Sequence, residues 1–215
     1  MAIGTDEDAR FDYVVVGAGT AGCLLADRLS ATGASVCVLE AGGRDWSPLI
    51  HLPVGYVWNV HSRRLTWDYA VEPGPVVNRR FRLPQGKVLG GSSSINGLSH
   101  VRGQRQDYDD WAAAGNPGWS YLEILPYFMR SERKVGVGDD RFRGRSGSLH
   151  ITDQDWSHPI CDAFVNGLSE LGIPLTDDYN GMVHTGGGYL QRAIHNGRRC
   201  SSARAFLKPA MQRPN

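Results

Sequence analysis

Residues 11–40 constrain this chain more than any other stretch, because they set out a strand, a glycine turn, a helix and a second strand in one fixed order. Phe11 to Val16 is a short apolar, β-branched run, the pattern of a strand buried on both faces. Gly17-Ala18-Gly19-Thr20-Ala21-Gly22 follows at once. Cys23 to Leu29 is apolar on one side and reads as helix, ending near Thr32-Gly33 where glycine can cap. Ser35 to Leu39 is a second buried strand, closed by Glu40. In such a βαβ unit the first glycine makes the strand-to-helix turn. The second admits a pyrophosphate to the backbone, and the third lets helix pack on strand. The helix N-terminus offers free N–H groups and partial positive charge to phosphates.

G-x-G-x-x-G alone also fits a glycine-rich turn in a generic α/β protein, with Glu40 merely solvated. Here the acid ends the second strand, where a carboxylate can take ribose hydroxyls, and the whole order favours dinucleotide binding. The motif does not separate FAD from NAD. Its place near the N-terminus tilts towards FAD, and so does a second motif, Gly86-Lys87-Val88-Leu89-Gly90-Gly91-Ser92-Ser93-Ser94-Ile95-Asn96. Paired glycines followed by small hydroxyl residues let backbone lie against a flat ring or a phosphate. The competing reading is a Ser-rich loop at a helix start.

Between the motifs, Ala41 to Gly91 shows no further strand–helix alternation, so the chain leaves the sheet for a long excursion. Thr66 to Glu72 and Arg79 to Leu83 alternate and read as a hairpin around Pro73-Gly74-Pro75. Further on, Arg105 to Ala114 has helical potential. Ser120 with Glu123 is a capping box for a helix through Met129. Residues 132–147, charged and Gly-rich, read as a surface loop. Ser148 to Thr152 reads as strand, Ser157 with Pro159 opens a helix to Leu171, a strand is expected within Gly186 to Ile194, and a last helix starts at Ser201.

The run Gly86 to Asn96, continued by Val101-Arg102-Gly103 and Asp107-Tyr108-Asp109, resembles the first signature of the glucose-methanol-choline (GMC) flavoprotein oxidoreductases. Leu39-Glu40-Ala41-Gly42 matches that family's habit after its second strand. Arg199, Ser201-Ser202-Ala203 and Phe206-Leu207-Lys208-Pro209 are similar to its later Arg-x-Ser-Ser-Ala segment. The nearest look is to the choline dehydrogenase-like and alcohol dehydrogenase branch. The resemblance implies an α/β fold with α+β additions: a Rossmann-like FAD-binding βαβ core plus part of a substrate domain, truncated. It implies an FAD-binding domain over 1–150, with the excursion at 41–91, and an incomplete start of the substrate domain over 151–215.

It further implies that Gly17, Gly19 and Gly22 hold the FAD pyrophosphate and Glu40 the adenosine ribose, with Thr20, Ala21 and Gly91 also binding the cofactor. Val88 and the segment Asn96, Gly97, Leu98 and Ser99 would line the isoalloxazine. The FAD would be non-covalent, since an Asn amide at 96 cannot make the histidyl link some relatives use. The implied activity is oxidation of a primary alcohol to an aldehyde, with hydride passing to flavin N5 and re-oxidation by oxygen, a quinone or a dye. The family's catalytic His lies in a C-terminal half that this sequence does not contain, so no catalytic residue is assigned. The chain alone would then be inactive, one half of a split enzyme needing a C-terminal half in trans, or a non-catalytic flavin-binding module. Relatives also use the frame for lyase or photochemical decarboxylation. His100 stands where the family usually has an aromatic residue or Ala, and reads as a buried, satisfied histidine.

The remaining features have blander readings. A net charge of +1 gives no argument for nucleic acid or an acidic membrane. Cys23, Cys37, Cys161 and Cys200 form no C-x-x-C and have no His at zinc spacing, so no metal is expected, and Cys23 and Cys37 read as buried small hydrophobes. No targeting segment is read and Asp6, Glu7 and Asp8 carry the wrong charge for a signal, which favours a cytoplasmic protein. Arg79, Arg80 and Arg82 read as a solvated hairpin face, and Trp111, Trp119 and Trp156 as packing residues.

Overall fold

The computed structural model describes residues 10–76 and 78–215. By its contacts the chain parts into two units. The first runs to Asn96 and takes in Ser201–Asn215; the second is Gly97–Cys200. This differs from the division expected near residue 150, because the chain leaves the first unit at residue 97 and returns to it at residue 201.

In the first unit, β1 (Tyr13–Val16) and β2 (Val36–Leu39) are parallel, with Tyr13 opposite Val36 and Val16 opposite Leu39. They are joined through α1 (Thr20–Ser30), which buries Gly22, Cys23, Ala26, Asp27 and Ser30. That spacing is one helical face. Burial pushes the Cys23 thiol up to about 12, and its Sγ lies 3.2 Å from the Ala18 carbonyl oxygen, so it behaves as an inert core residue; Cys37 is half-buried. The excursion contributes two single-turn helices, α2 (Pro48–His51) and α3 (Tyr56–Asn59), and the expected hairpin of β3 (Tyr69–Val71) and β4 (Phe81–Leu83). Arg79, Arg80 and Arg82 are exposed on it. The core here is Ile50, Val88 and Ile95, with Leu65 against it.

The second unit opens with α4 (Arg105–Ala113) and α5 (Tyr121–Ser131), each started by a capping box. At α5 the Glu123 carboxylate accepts from the Ser120 N–H at 3.2 Å. Residues 132–147 are a surface loop only in part: 135–147 is irregular and largely exposed, but the start of the stretch and Arg143 are not. Glu132–Lys134 is a strand, β5, parallel to β6 (Leu149–Ile151), and Glu132, Lys134 and Arg143 are buried. They can be inside because they neutralise one another: Arg102 and Arg143 both hold the Glu132 carboxylate, Arg143 Nη1 reaches Asp178 at 2.5 Å, and Lys134 Nζ reaches Asp153 at 2.6 Å. α6 (Pro159–Glu170) begins at Pro159 as expected but buries no residue. The strand expected within 186–194 amounts only to β7 (Ile194–His195), in a tight hairpin with β8 (Arg198–Arg199); 186–193 makes single bridges instead. Trp111, Trp119 and Trp156 are each at least half exposed, so they are not core packing; Trp111 and Trp119 stack edge-on at 5.7 Å.

The returning tail forms a π-helical turn (Ala203–Leu207) and the short α7 (Lys208–Ala210). Its end is tied to α1 and to the turn after it: Arg213 bonds the Asp27 carboxylate at 3.0 Å, and the Asn215 amide donates to Ser30 and Ala34 carbonyls. Among the described residues no helix is long and apolar enough to cross a membrane. Among them, too, no three His, Cys, Asp or Glu groups are arranged to hold a metal ion.

Candidate functional site

The two glycine motifs meet in the first unit. Gly17 has φ +91°, a left-handed turn that an L side chain resists, and it swings the chain from β1 into α1. A Cβ on Gly22 would sit 1.9 Å from the Gly17 carbonyl oxygen, so the helix crosses the turn at backbone contact. The second motif lies against the first: the Gly90 N–H donates to the Ala18 carbonyl at 2.7 Å, and a Cβ on Gly91 would come 2.8 Å from Gly19 Cα.

Glu40 ties this arrangement to the sheet. One carboxylate oxygen accepts from the Ala18 N–H and the other from the Gly42 N–H, both at 2.8 Å. Each oxygen keeps a second lone pair for a hydroxyl donor. The serines of the second motif fold it rather than face outward. Ser94 Oγ donates to the Leu89 carbonyl at 2.7 Å, Ser93 Oγ to the Gly90 carbonyl, and Ser93 Oγ also accepts from the Ser202 N–H at 2.9 Å. That last bond brings the Ser201-Ser202-Ala203 segment onto the first signature, a contact that sequence order does not announce.

The cradle suits an anion. α1 has eleven residues, no side-chain cap and no acid in its first turn. Its first N–H groups therefore have no intrahelical acceptor and present partial positive charge. Thr20 and Ala21 are exposed there, and the space where Gly17 and Gly19 would carry a Cβ is open to 4 Å. A pyrophosphate fits such a cradle, with Glu40 placed for a ribose. Of the other candidates in this unit, Asn96 is exposed, but the Val88 side chain is fully buried in the core, leaving only its backbone for a ligand.

Gly97, Leu98 and Ser99 belong to the second unit. Gly97 and Ser99 are exposed; Leu98 is buried at φ +66°, strained for a branched side chain. This segment is pinned by residues that sequence reasoning did not single out. Ala193 N–H donates to the Leu98 carbonyl, His100 N–H to the Gln191 carbonyl, and the buried Asn180 side chain both donates to the His100 carbonyl and accepts from the Arg102 N–H at 2.7 Å. Nothing local marks Asn180 or Gln191 for this role. Burial lowers the His100 imidazole to about 4, partly opposed by Glu132, so it is neutral at pH 7.

A family profile of the GMC oxidoreductases matches residues 11–215. The chain belongs to the GMC oxidoreductase family. GMC proteins are flavoprotein oxidoreductases. This GMC chain is 46% identical over 206 residues to an oxygen-dependent choline dehydrogenase of Sinorhizobium fredii and 45% identical to one of Rhizobium etli, each match covering 95% of this chain. It spans 37% of the length of either relative. Among solved structures it is similar to pyridoxine 4-oxidase from Mesorbium loti, with a TM-score of 0.89 and 32% identity over 95% of this chain and 41% of that one. An FAD-dependent oxidoreductase from Chaetomium thermophilum gives a TM-score of 0.82 at 29% identity, over 95% of this chain and 37% of that one.

Proposed function

We propose that this chain is the FAD-binding, N-terminal part of a flavin-dependent oxidoreductase acting on CH–OH groups, with the first unit as a Rossmann-like cofactor domain. The observation that carries the reading is the contact of Gly90 and Gly91 with Ala18 and Gly19 at the open N-terminus of α1, beside Glu40. The amides of Gly19, Thr20, Ala21 and Gly22 bind the pyrophosphate, and Glu40 accepts from the ribose. Gly91 keeps side chains out of the cradle, and the Val88 backbone and Asn96 border the flavin ring. When bound, FAD supplies the two-electron chemistry of alcohol oxidation.

Asn96 supports non-covalent binding, since its amide has no nucleophile to bond the ring. The substrate is a small alcohol, a reading supported by the relatives named choline dehydrogenase, and the electron acceptor is oxygen, a quinone or a dye. Turnover draws on the region that the relatives carry beyond the part matched here, since this region is 37% of their length. The second reading is a flavin-binding module without turnover.

Purified chain incubated with FAD and desalted should keep a flavin absorption band, and trichloroacetic acid should release all of it into the supernatant. A colourless protein after saturation with FAD would sink the reading. Flavin remaining with the precipitate would sink only the non-covalent part. Bleaching by an alcohol panel after adding the C-terminal half would exclude the module reading.

A further inference from the structure

The second unit holds a cleft of about 340 Å³ at the start of α4. Gln104, Arg105 and Gln106 line it from the helix, Phe142, Met182 and His184 from two loops. Tyr121, only 2% exposed, also lines it, and the His184 ring meets the Tyr121 ring edge-on at 6.2 Å.

Donors outnumber acceptors in this cleft. The Tyr121 hydroxyl is buried and has no acceptor: the polar group beside it is the Arg102 guanidinium, itself a donor, whose Nε has no acceptor either. Burial pushes the Tyr121 phenol up, so it keeps its proton at neutral pH. At α4 the capping box pairs Gln104 with Asp107, which leaves the Arg105 and Gln106 amides without an intrahelical acceptor. The one acid in the lining, Asp109, is already engaged. Its carboxylate accepts from the Tyr121 N–H at 2.9 Å and from Arg105 Nε at 3.1 Å. A buried donor left unmet is costly, and a ligand that brings acceptors relieves that cost.

We propose that this cleft binds a small organic carboxylate. One carboxylate oxygen accepts from the Tyr121 hydroxyl, the first amides of α4 and the remaining nitrogens of Arg105 hold the charge, and an apolar body lies against Phe142, Met182 and His184. Charge-assisted bonds make a carboxylate the strongest acceptor for these donors. A phosphate fits less well, because the lining offers one arginine, already shared with Asp109, and an apolar wall opposite it. Every residue involved belongs to the second unit, so flavin plays no part in the binding.

Calorimetric titration of the chain with sodium benzoate tests the site. Saturable one-to-one binding is expected, with benzamide, the neutral isostere, about tenfold or more weaker. Tyr121→Phe removes only the hydroxyl. It should weaken benzoate about tenfold or more, the fold-change for losing one hydrogen bond to a charged group. It should leave the melting temperature of the free chain unchanged or raised, because the deleted proton had no acceptor to lose. Arg105→Gln should also weaken benzoate, whereas Arg79→Gln, on the exposed hairpin of the first unit, should not. No benzoate binding, equal affinity in Tyr121→Phe, or an equal loss in Arg79→Gln would each overturn the inference. Inorganic phosphate or benzamide binding as tightly as benzoate would overturn it as well. So would a Tyr121→Phe chain that melts lower without ligand, since its hydroxyl would then have a partner inside the protein.

Discussion

The two units are held together by opposite means. The first joins backbone to backbone: Gly22 against Gly17, Gly91 against Gly19, with serine hydroxyls and Glu40 closing the loops. The second is organised around buried charge, with Arg102, Arg143, Glu132 and Asp178 in one network and Asn180 and Gln191 extending it to the segment after the second motif. A ligand needs close, open backbone, and the first unit supplies it. A segment that must hold one strained conformation needs fixed partners, and the second unit supplies those.

The sharpest way to break this contrast is at Glu132. Glu132→Leu leaves two buried guanidinium groups without their carboxylate and should cost roughly 3–5 kcal/mol, read as a loss of the denaturation midpoint of the second unit. Acid tests the same network through His100. Its folded-state value, about 4, lies below the ordinary 6.5, so the neutral form is the folded form. The unfolded chain binds the proton first, and stability should fall as pH drops from about 6.5 to 4, by roughly 3 kcal/mol in all. His100→Phe should flatten that part of a pH–melting profile. Burial alone would raise the Glu132 carboxyl, but the two arginines outweigh it and lower it, so its loss of stability comes further down in pH. In the first unit Gly22→Ala meets the Gly17 carbonyl; it should cost about 1–3 kcal/mol as overpacking does, and abolish FAD retention while the second unit keeps its midpoint.

The same contrast explains what the sequence made legible. Gly17, Gly19, Gly22 and Glu40 lie within one βαβ unit, and Ser120 with Glu123 within one helical turn, so spacing alone located the turn and the cap. Glu132 finds its partners 11 and 30 residues away, and charge-rich, Gly-rich composition at 132–147 reads as solvated surface until those partners are known. Val88 was expected at the ring, yet its side chain completes the Ile50–Ile95 core, since an apolar residue between glycines has no local mark of which way it points. The half-exposed tryptophans show the converse: large aromatic residues predict burial only where an opposing surface exists to bury them.

Glu40 has a consequence for any variant made at the end of β2. Replacing the acid after the second strand by a smaller or basic residue removes both acceptor oxygens. The exchange would release the amides of Ala18 and Gly42, one on each of the loops flanking the sheet. Two loops hang on a single side chain, so any one-residue redesign there would unfasten the turn whatever else it changed.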